Sequence, residues 1–341
     1  MKRRSFITNS VLTTTSLFLT KNVLSRNKGK IYGQNEMTYY LDTEWGILNS
    51  SKTPVNDCHE MVQDAKGRIL LLTNETRNNI IIYNKSGKLI DVWGTQFPGA
   101  HGLSIQNTGK EDFLFITDTN KHQVYKTTVD GKILLTIDAP DDLPVYDKKE
   151  AFVPTETAIL ENGEFYIADG YGAQHILHYD EKGRLLNSFG GKGEGEKYFD
   201  NAHGICVDYR SSVPTLLITD RTRNAFKRFS LDGKFLETIH LPGACVCRPV
   251  IKGDYLYAAV LRSPNLSNEA SGFVTILNKE NRVVSNLGGN QPVYENGKLS
   301  PLYQTEKIFI HPHDVCVDDD ENIYVAQWAS GKVYPYKFSR A

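Results

Sequence analysis

The sequence predicts an all-β fold, a six-bladed β-propeller whose ring is closed by an N-terminal strand. Three observations support this prediction for the chain of 341 residues. A pattern of short apolar strands recurs six times, the clearest units carry a glycine turn before their last strand, and the final unit ends one strand early. Self-similarity at such a period is typical of propellers.

The repeat is clearest in four units, and two further units are weaker. Each clear unit has an inner strand, a second strand, a third strand and a glycine turn, as in His101 to Ile105, Phe115 to Asp118, Gln123 to Tyr125 and Asp130 to Lys132. The inner strands of the six units begin near His59, His101, Thr155, His203, Pro249 and His313. The spacing is roughly 40 to 65 residues, which fits the size of propeller blades.

Each unit is predicted to form four antiparallel strands. Alternating apolar residues supply the pleat, and Gly87, Gly131 and Gly233 supply turns that require positive φ. The last unit stops after its third strand, so we expect Met37 to Leu41 to complete the final blade and remove the exposed edge. A closed ring has no internal boundary, so residues 30–341 form one domain. This pattern resembles the NHL repeat.

The N-terminus predicts export. Arg3 and Arg4 followed by Phe6 and Ile7 resemble a twin-arginine signal, and the stretch from Val11 to Thr20 is only mildly hydrophobic. We therefore expect residues 1–29 to be a leader that is cleaved between Leu24 and Lys30, which gives a periplasmic protein without a membrane span. A disordered basic tail is the competing interpretation.

Charge and cysteine content exclude several classes of function. The net charge of -1 and the lack of a basic stripe argue against a nucleic-acid partner. Five cysteines are an odd number, which does not suit a disulfide framework. Cys206 and Cys316 are expected to be buried, and Cys245 and Cys247 are interpreted as structural. The expected partner is a small-molecule or oligosaccharide substrate, and the expected state is a monomer.

Histidines mark the position where the inner strands face the axis. His101, His203 and His313 belong to alternate blades, so a pseudo-threefold axis relates them and they can converge on one point. Three imidazoles with an open fourth position are the usual architecture of catalytic zinc. Rim residues without a ligand are the competing interpretation. His59 lies on a neighbouring blade and is a fourth ligand, an acid–base group or inert.

These motifs resemble the lyase domain of peptidylglycine α-amidating enzymes. The resemblance covers nearly the whole ring and rests on six segments: Ala100 to Ile105, His122 to Lys126, Ala168 to Tyr171, Ala202 to Ile205, Thr219 to Arg221 and Pro312 to Val315. It implies that His101, His203 and His313 bind zinc, that Tyr171 transfers protons and that Arg221 lines the substrate site. It also implies a structural calcium bound by the Leu103 carbonyl and the Asp314 carboxylate, which are hard oxygen ligands.

The sequence also departs from that family. His311 replaces a methionine, Gly172 replaces a cysteine, and the active-site arginine of the first blade is unmatched, with Arg77 close by. The chain resembles, less specifically, exported bacterial propeller dehydratases that act on uronic-acid-ended, ulvan-type oligosaccharides.

Three functions follow from these observations. The preferred one is a zinc-dependent carbon–oxygen lyase that removes water from terminal uronic acids during carbohydrate degradation. In this hypothesis Tyr171 is the base, His311 or His59 is the acid and Arg221 holds a carboxylate. The alternatives are a peptidyl-α-hydroxyglycine lyase and a non-catalytic binding propeller.

Overall fold

A computed structural model describes residues 29–341 of the chain. The twin-arginine motif lies outside the described residues, so export stays a prediction. No helix among residues 29–341 has the length and apolar character needed to cross a membrane.

The strands follow the chain in the order of the repeat. An N-terminal hairpin comes first, with β1 (Ile31–Gln34) and β2 (Met37–Asp42). Blade 1 contains β3 (Cys58–Gln63), β4 (Ile69–Thr73), β5 (Ile80–Tyr83) and β6 (Leu89–Trp93). Blade 2 contains β7 (Ala100–Asn107), β8 (Asp112–Asp118), β9 (Gln123–Thr128) and β10 (Ile133–Ile137). Blade 3 contains β11 (Glu156–Ile159), β12 (Phe165–Ala168), β13 (His175–Tyr179) and β14 (Leu185–Gly190).

The second half of the ring is built in the same way. Blade 4 contains β15 (Ala202–Asp208), β16 (Thr215–Asp220), β17 (Ala225–Ser230) and β18 (Phe235–His240). Blade 5 contains β19 (Cys245–Val246), β20 (Val250–Lys252), β21 (Tyr255–Arg262), β22 (Phe273–Leu277) and β23 (Val283–Leu287). A small hairpin follows, with β24 (Tyr294–Glu295) and β25 (Lys298–Leu299). Blade 6 contains β26 (Pro312–Val317), β27 (Ile323–Gln327) and β28 (Tyr336–Arg340). Three short 3₁₀ helices lie at Pro144–Tyr146, Lys149–Ala151 and Arg221–Arg223.

The predicted ring closure is confirmed. Strand β2 pairs antiparallel with β28, with Tyr39 opposite Arg340 and Leu41 opposite Phe338. The sheet order β1-β2-β28-β27-β26 also contains a fifth strand that the sequence analysis missed. That strand folds back because Asn35, at φ 55°, forms the tight turn between β1 and β2.

Buried side chains pack between the blades rather than in one central core. The buried hydrophobic residues described form six clusters, one at each junction between adjacent blades. Phe115 of blade 2 and Phe165 of blade 3, for example, pack with their ring centroids 5.1 Å apart. The centre of the ring is therefore left to the first residues of the inner strands.

Gly131 shows why the turn before an outer strand needs glycine. Its φ is +93°, and a Cβ atom there would lie 2.6 Å from the Trp93 ring of the neighbouring blade. Positive φ and lack of space both exclude a side chain. This confirms the predicted role of the turn and shows that it also serves the packing between blades.

Candidate metal centre

Two consecutive residues in or beside the inner strand of each blade form two layers around the ring axis. The histidine layer consists of His59, His101, Thr155, His203, Cys247 and His313, one residue from each blade. The charge layer consists of the residues that follow them: Glu60, Gly102, Glu156, Gly204, Arg248 and Asp314. In blades 1, 2, 4 and 6 the strand register shifts at this point. Such bulges redirect side chains at functional sites.

The structure brings the three predicted zinc histidines together. The ring centroids of His101 and His203 are 4.9 Å apart, and each lies 5.0 Å from the ring of His313. His59 joins the cluster from blade 1, with its ring 4.9 Å from His101 and 5.0 Å from His313. All four side chains are buried.

The possible ligand atoms extend beyond the predicted triad. Ligand atoms lie within 4.8 Å of one another in two groups, His59 with His101 and His313, and His203 with Cys247 and His313. The ring centroids of His101, His203 and His313 define one triangle, whereas the possible ligand atoms fall into two groups that share His313. A small rotation of a ring moves its nitrogen atoms more than its centroid, so the two groups belong to one cluster that shares His313.

Cys247 corrects the sequence analysis in blade 5. The repeat pattern predicts Pro249 at the axial position, but the residue that meets His203 and His313 is Cys247, two positions earlier. Its backbone N–H donates to the Ala259 carbonyl at 2.8 Å, which fixes the register against β21. Cys247, which the sequence analysis interpreted as structural, thus has its thiol within reach of two axial histidines.

The histidine layer suits a metal ion because its rings keep nitrogen atoms that can act as ligands. Nδ1 of His101 donates to the Thr155 carbonyl at 2.9 Å, and Nδ1 of His313 donates to the His59 carbonyl at 3.2 Å. These bonds leave Nε2 of each ring as an acceptor or ligand. In His203 both ring nitrogens are buried without a protein partner.

Electrostatics keep these rings neutral. Burial lowers the pKa of His59 to about 3, with a further contribution from the charge of Arg221. Burial also lowers the pKa of His101, His203 and His313 well below the usual histidine value. Neutral imidazole is the form that binds metal, and it suits zinc. The residues present therefore fit the expected ion.

Tyr171 stands at the mouth of this layer. Its hydroxyl lies 3.2 Å from Nε2 of His101, and its ring lies 5.1 Å from His101 and 5.5 Å from His203. The side chain is 44% exposed, so a substrate can reach it.

Asp169 holds the loop that carries Tyr171. The buried Asp169 carboxylate accepts hydrogen bonds from the N–H groups of Val153 and Ala173 and from the Tyr146 hydroxyl, at 2.6, 2.5 and 2.7 Å. Gly172 belongs to this tight packing, because a Cβ atom there would lie 2.2 Å from Asp169 Oδ1. The cysteine that the resemblance leads us to expect at this position therefore has no room in this loop.

Arg221 places a buried positive charge beside the histidines. It is the first residue of the 3₁₀ helix after β16, and its side chain is largely buried. Its Nη2 lies 3.8 Å from Cys247 Sγ, and its Nε has no hydrogen-bond partner. A buried guanidinium with free donors is suited to bind a carboxylate.

Two small cavities meet over the site, and both are lined by Tyr171 and Trp328. One, of about 170 Å³, also contacts His59 and His101. The other, of about 200 Å³, also contacts Arg221. Trp328 was not predicted from the sequence, although it directly follows a second strand of the repeat, the position that Arg221 holds in blade 4.

His311 and Arg77, which were also named from the sequence, lie outside the histidine cluster. The ring of His311 is buried, with Nε2 2.6 Å from a Glu269 oxygen and the ring centroid 5.8 Å from Trp328. His311 therefore reaches the site through Trp328 rather than by contact with the other histidines. The Arg77 side chain is 61% exposed and pairs with Glu75 at 3.0 Å.

The expected calcium ligands do not fit a calcium ion. The Leu103 carbonyl accepts a hydrogen bond from Nη1 of Arg248 at 2.7 Å. The Asp314 carboxylate accepts two more, from Nε at 3.0 Å and from Nη2 at 2.7 Å. The guanidinium thus takes the place between these oxygens that the ion needs.

Comparison with known proteins supports the fold and the resemblance to amidating lyases. Residues 156–335, more than half of the chain, match the family described as 6-bladed beta-propeller. Peptidyl-alpha-hydroxyglycine alpha-amidating lyase 1 of Drosophila melanogaster is 28% identical over 281 residues, 74% of this chain and 47% of its own length. Peptidyl-glycine alpha-amidating monooxygenase B of Xenopus laevis is 25% identical over 71% of this chain and 26% of its own length. The chain thus spans about half or less of the length of these relatives.

A solved structure of a streptogramin B lyase has the same fold. It superimposes with a TM-score of 0.58 at 14% sequence identity, covering 90% of this chain and 100% of the other. At that identity the likeness concerns the fold alone.

Proposed function

The chain belongs to the 6-bladed beta-propeller family, and we propose that it is an exported, zinc-dependent lyase that cleaves a carboxylate-bearing α-hydroxyglycine. Its relatives in the comparison are named as amidating lyases and amidating monooxygenases. Because the chain spans only part of their length, the substrate is part of the proposal.

The observation that carries this proposal is the convergence of three kinds of group on one site. Buried neutral imidazoles lie at the axis, the Tyr171 hydroxyl is 3.2 Å from one of them, and the Arg221 guanidinium lines the adjoining cavity. A metal site, a proton carrier and an anion-binding group are the parts that a lyase of this kind requires.

His101, His203 and His313 would hold the zinc ion, with His59 and Cys247 as further donors within reach. When bound there, zinc would act as a Lewis acid that favours deprotonation of a substrate hydroxyl. The hydrogen bonds to the Thr155 and His59 carbonyls orient two of the rings for this role.

The side chains supply the remaining chemistry. In an α-hydroxyglycine the hydroxyl loses its proton, the C–O bond becomes a carbonyl, the C–N bond breaks and the nitrogen gains a proton. The products are an amide and glyoxylate. Tyr171 would carry the proton between oxygen and nitrogen, and Arg221 would hold the carboxylate, so that one proton is moved and none is lost.

The comparisons favour this substrate over the uronic acids preferred by the sequence analysis. Both candidates present a carboxylate and a hydroxyl, so Arg221 and Tyr171 suit either one. The name of the Drosophila melanogaster relative refers to peptidyl-α-hydroxyglycine, and no contact among the described residues points specifically to a sugar. Uronate dehydration therefore serves as the comparison in the test.

The test combines metal content with product formation. The purified mature protein, His203→Ala and the control His240→Ala would be analysed for zinc by elemental mass spectrometry. His240 is an exposed histidine on an outer strand, so its loss should leave the site intact. Each protein would be given a peptide ending in α-hydroxyglycine, with glyoxylate as readout, and a uronic-acid-ended oligosaccharide, with C=C absorbance as readout.

We expect about one zinc per chain in the wild type and His240→Ala, glyoxylate release by both, and loss of both properties in His203→Ala. C=C absorbance without glyoxylate would favour the dehydratase. Absence of both zinc and turnover from the wild type, even after zinc is added, would favour a non-catalytic binding propeller.

A further inference from the structure

The charge layer buries three carboxyl groups and one guanidinium beside the histidine layer. Glu60 is 1% exposed, and Glu156 and Asp314 are 0% exposed. One guanidinium, that of Arg248, which is 7% exposed, lies among these three carboxylates. Buried carboxylates at such close range repel one another unless a cation lies between them.

Arg248 reaches from blade 5 to the strands of four other blades. It donates to the Met61 carbonyl of blade 1 at 3.1 Å and to the Leu103 carbonyl of blade 2 at 2.7 Å. It also binds Asp314 of blade 6 at 2.7 Å and lies 3.6 Å from Glu156 of blade 3.

Blade 4 makes room for Arg248 instead of binding it. A Cβ atom on Gly204 would lie 2.6 Å from the Cα atom of Arg248, so only glycine permits this approach. The Arg248 side chain thus fills the axis, and the missing side chain of Gly204 leaves the space that Arg248 needs.

The oxygen atoms around the guanidinium are those that a hard divalent cation prefers. They comprise two backbone carbonyls and three carboxylates, from residues far apart in the sequence. Calcium binds such all-oxygen sets. Arginine is planar, permanently charged and rich in donors, so it can satisfy several of these oxygens at once.

We propose that Arg248 is a tethered cation that takes the place of a structural divalent ion and ties the blades together at the axis. The wild-type ring therefore requires no calcium, and removal of the guanidinium uncovers a latent calcium site. This inference concerns stability and does not depend on the proposed lyase activity.

The experiment uses protein that has been stripped of metal and then reconstituted with zinc. It measures thermal unfolding and bound calcium with and without about 1 mM calcium, the range in which extracellular modules bind this ion. Wild type should bind no calcium and show the same melting temperature in both conditions. Arg248→Ala should melt several degrees lower, bind about one calcium per chain and recover by about 5 °C when calcium is added. Magnesium should raise the melting temperature of Arg248→Ala less than calcium does, because it requires smaller, octahedral sites.

Arg210→Ala is the matched control. Arg210 is equally buried, with 5% of its side chain exposed, and pairs with Asp208 at 2.8 Å away from the axis. This variant should also melt lower but should gain nothing from calcium. Arg248→Lys keeps a tethered charge and should need no calcium either.

Two results would overturn the proposal. One is wild-type protein that binds calcium stoichiometrically or melts higher in its presence. The other is a folded Arg248→Ala variant that binds no calcium. If Arg248→Ala fails to fold even with calcium, the wild-type measurement and Arg248→Lys still decide the matter.

Discussion

The Tyr171→Phe substitution tests the proposed chemistry most directly, because it removes one oxygen atom and leaves the ring. The centroid of the aromatic ring would stay 5.1 Å from that of His101 and 5.5 Å from that of His203. The lost contact is a single hydrogen bond of 3.2 Å on a side chain that is 44% exposed. Its contribution to stability is at most about 1 kcal/mol.

The expected effect on rate is much larger than the effect on stability. A positioned proton-transfer group contributes about 10²- to 10⁴-fold to turnover, which corresponds to about 3–5 kcal/mol in the barrier. We therefore expect kcat for glyoxylate release to fall by at least about 100-fold. The melting temperature and the zinc content should stay close to those of the wild type.

Tyr209→Phe is the control for this experiment. Tyr209 is 46% exposed, similar to Tyr171, but it lines a different cavity, which contains none of the four axial histidines. Its substitution should leave kcat unchanged. If Tyr171→Phe keeps kcat within about threefold of the wild type while its zinc content is intact, Tyr171 is not the proton carrier.

Three further substitutions test other parts of the molecule. Arg221→Lys should raise KM about 10- to 100-fold, because an ammonium cannot bind a carboxylate in bidentate fashion; an unchanged KM in steady-state assays would count against carboxylate binding there. Gly204→Ala should lower the melting temperature by several degrees, because the new Cβ would meet backbone 2.6 Å away; an unaltered melting curve would contradict this close approach. Burial raises the pKa of Asp208, but hydrogen bonds from two neighbouring guanidiniums outweigh it and lower the pKa to about 2. This pKa is below the value of about 4 expected in the unfolded chain. The ionised Asp208 carboxylate therefore stabilises the fold above pH 4, and this contribution is lost as the pH falls towards 2. The difference in unfolding free energy between wild type and Asp208→Asn should shrink over that range in denaturant titrations, and a constant difference would argue against the shift.

Local sequence signals were sufficient to predict the blades of the propeller. The turn at Gly131 and the strand from Met37 could be recognised because each depends on a few adjacent residues or on one count of strands. His101, His203 and His313 could be matched because their blades have regular inner strands.

Residues that depend on contacts between distant segments could not be predicted. In blade 5 the innermost segment is divided between β19 and β20, so the repeat phase slipped by two residues and Cys247 was overlooked. Arg248 binds Met61, 187 positions away in the chain, and no local pattern indicates such a contact. Trp328 lines the same cavities as Tyr171 of blade 3 only in the folded ring, and a single tryptophan after a strand carries no local signal of that contact.

The pairing of β2 with β28 also determines when the ring can form during synthesis. Tyr39 is made early and Arg340 near the end of the sequence, yet the two are partners in one sheet. Until the ribosome has released the last strand, the nascent chain can stack blades but cannot complete the circle. Because the histidines come from blades 1, 2, 4 and 6, the full set of axial donors assembles only then. Contacts of such long sequence separation slow folding. The proposed zinc ion should accordingly be acquired only after blade 6 has been made.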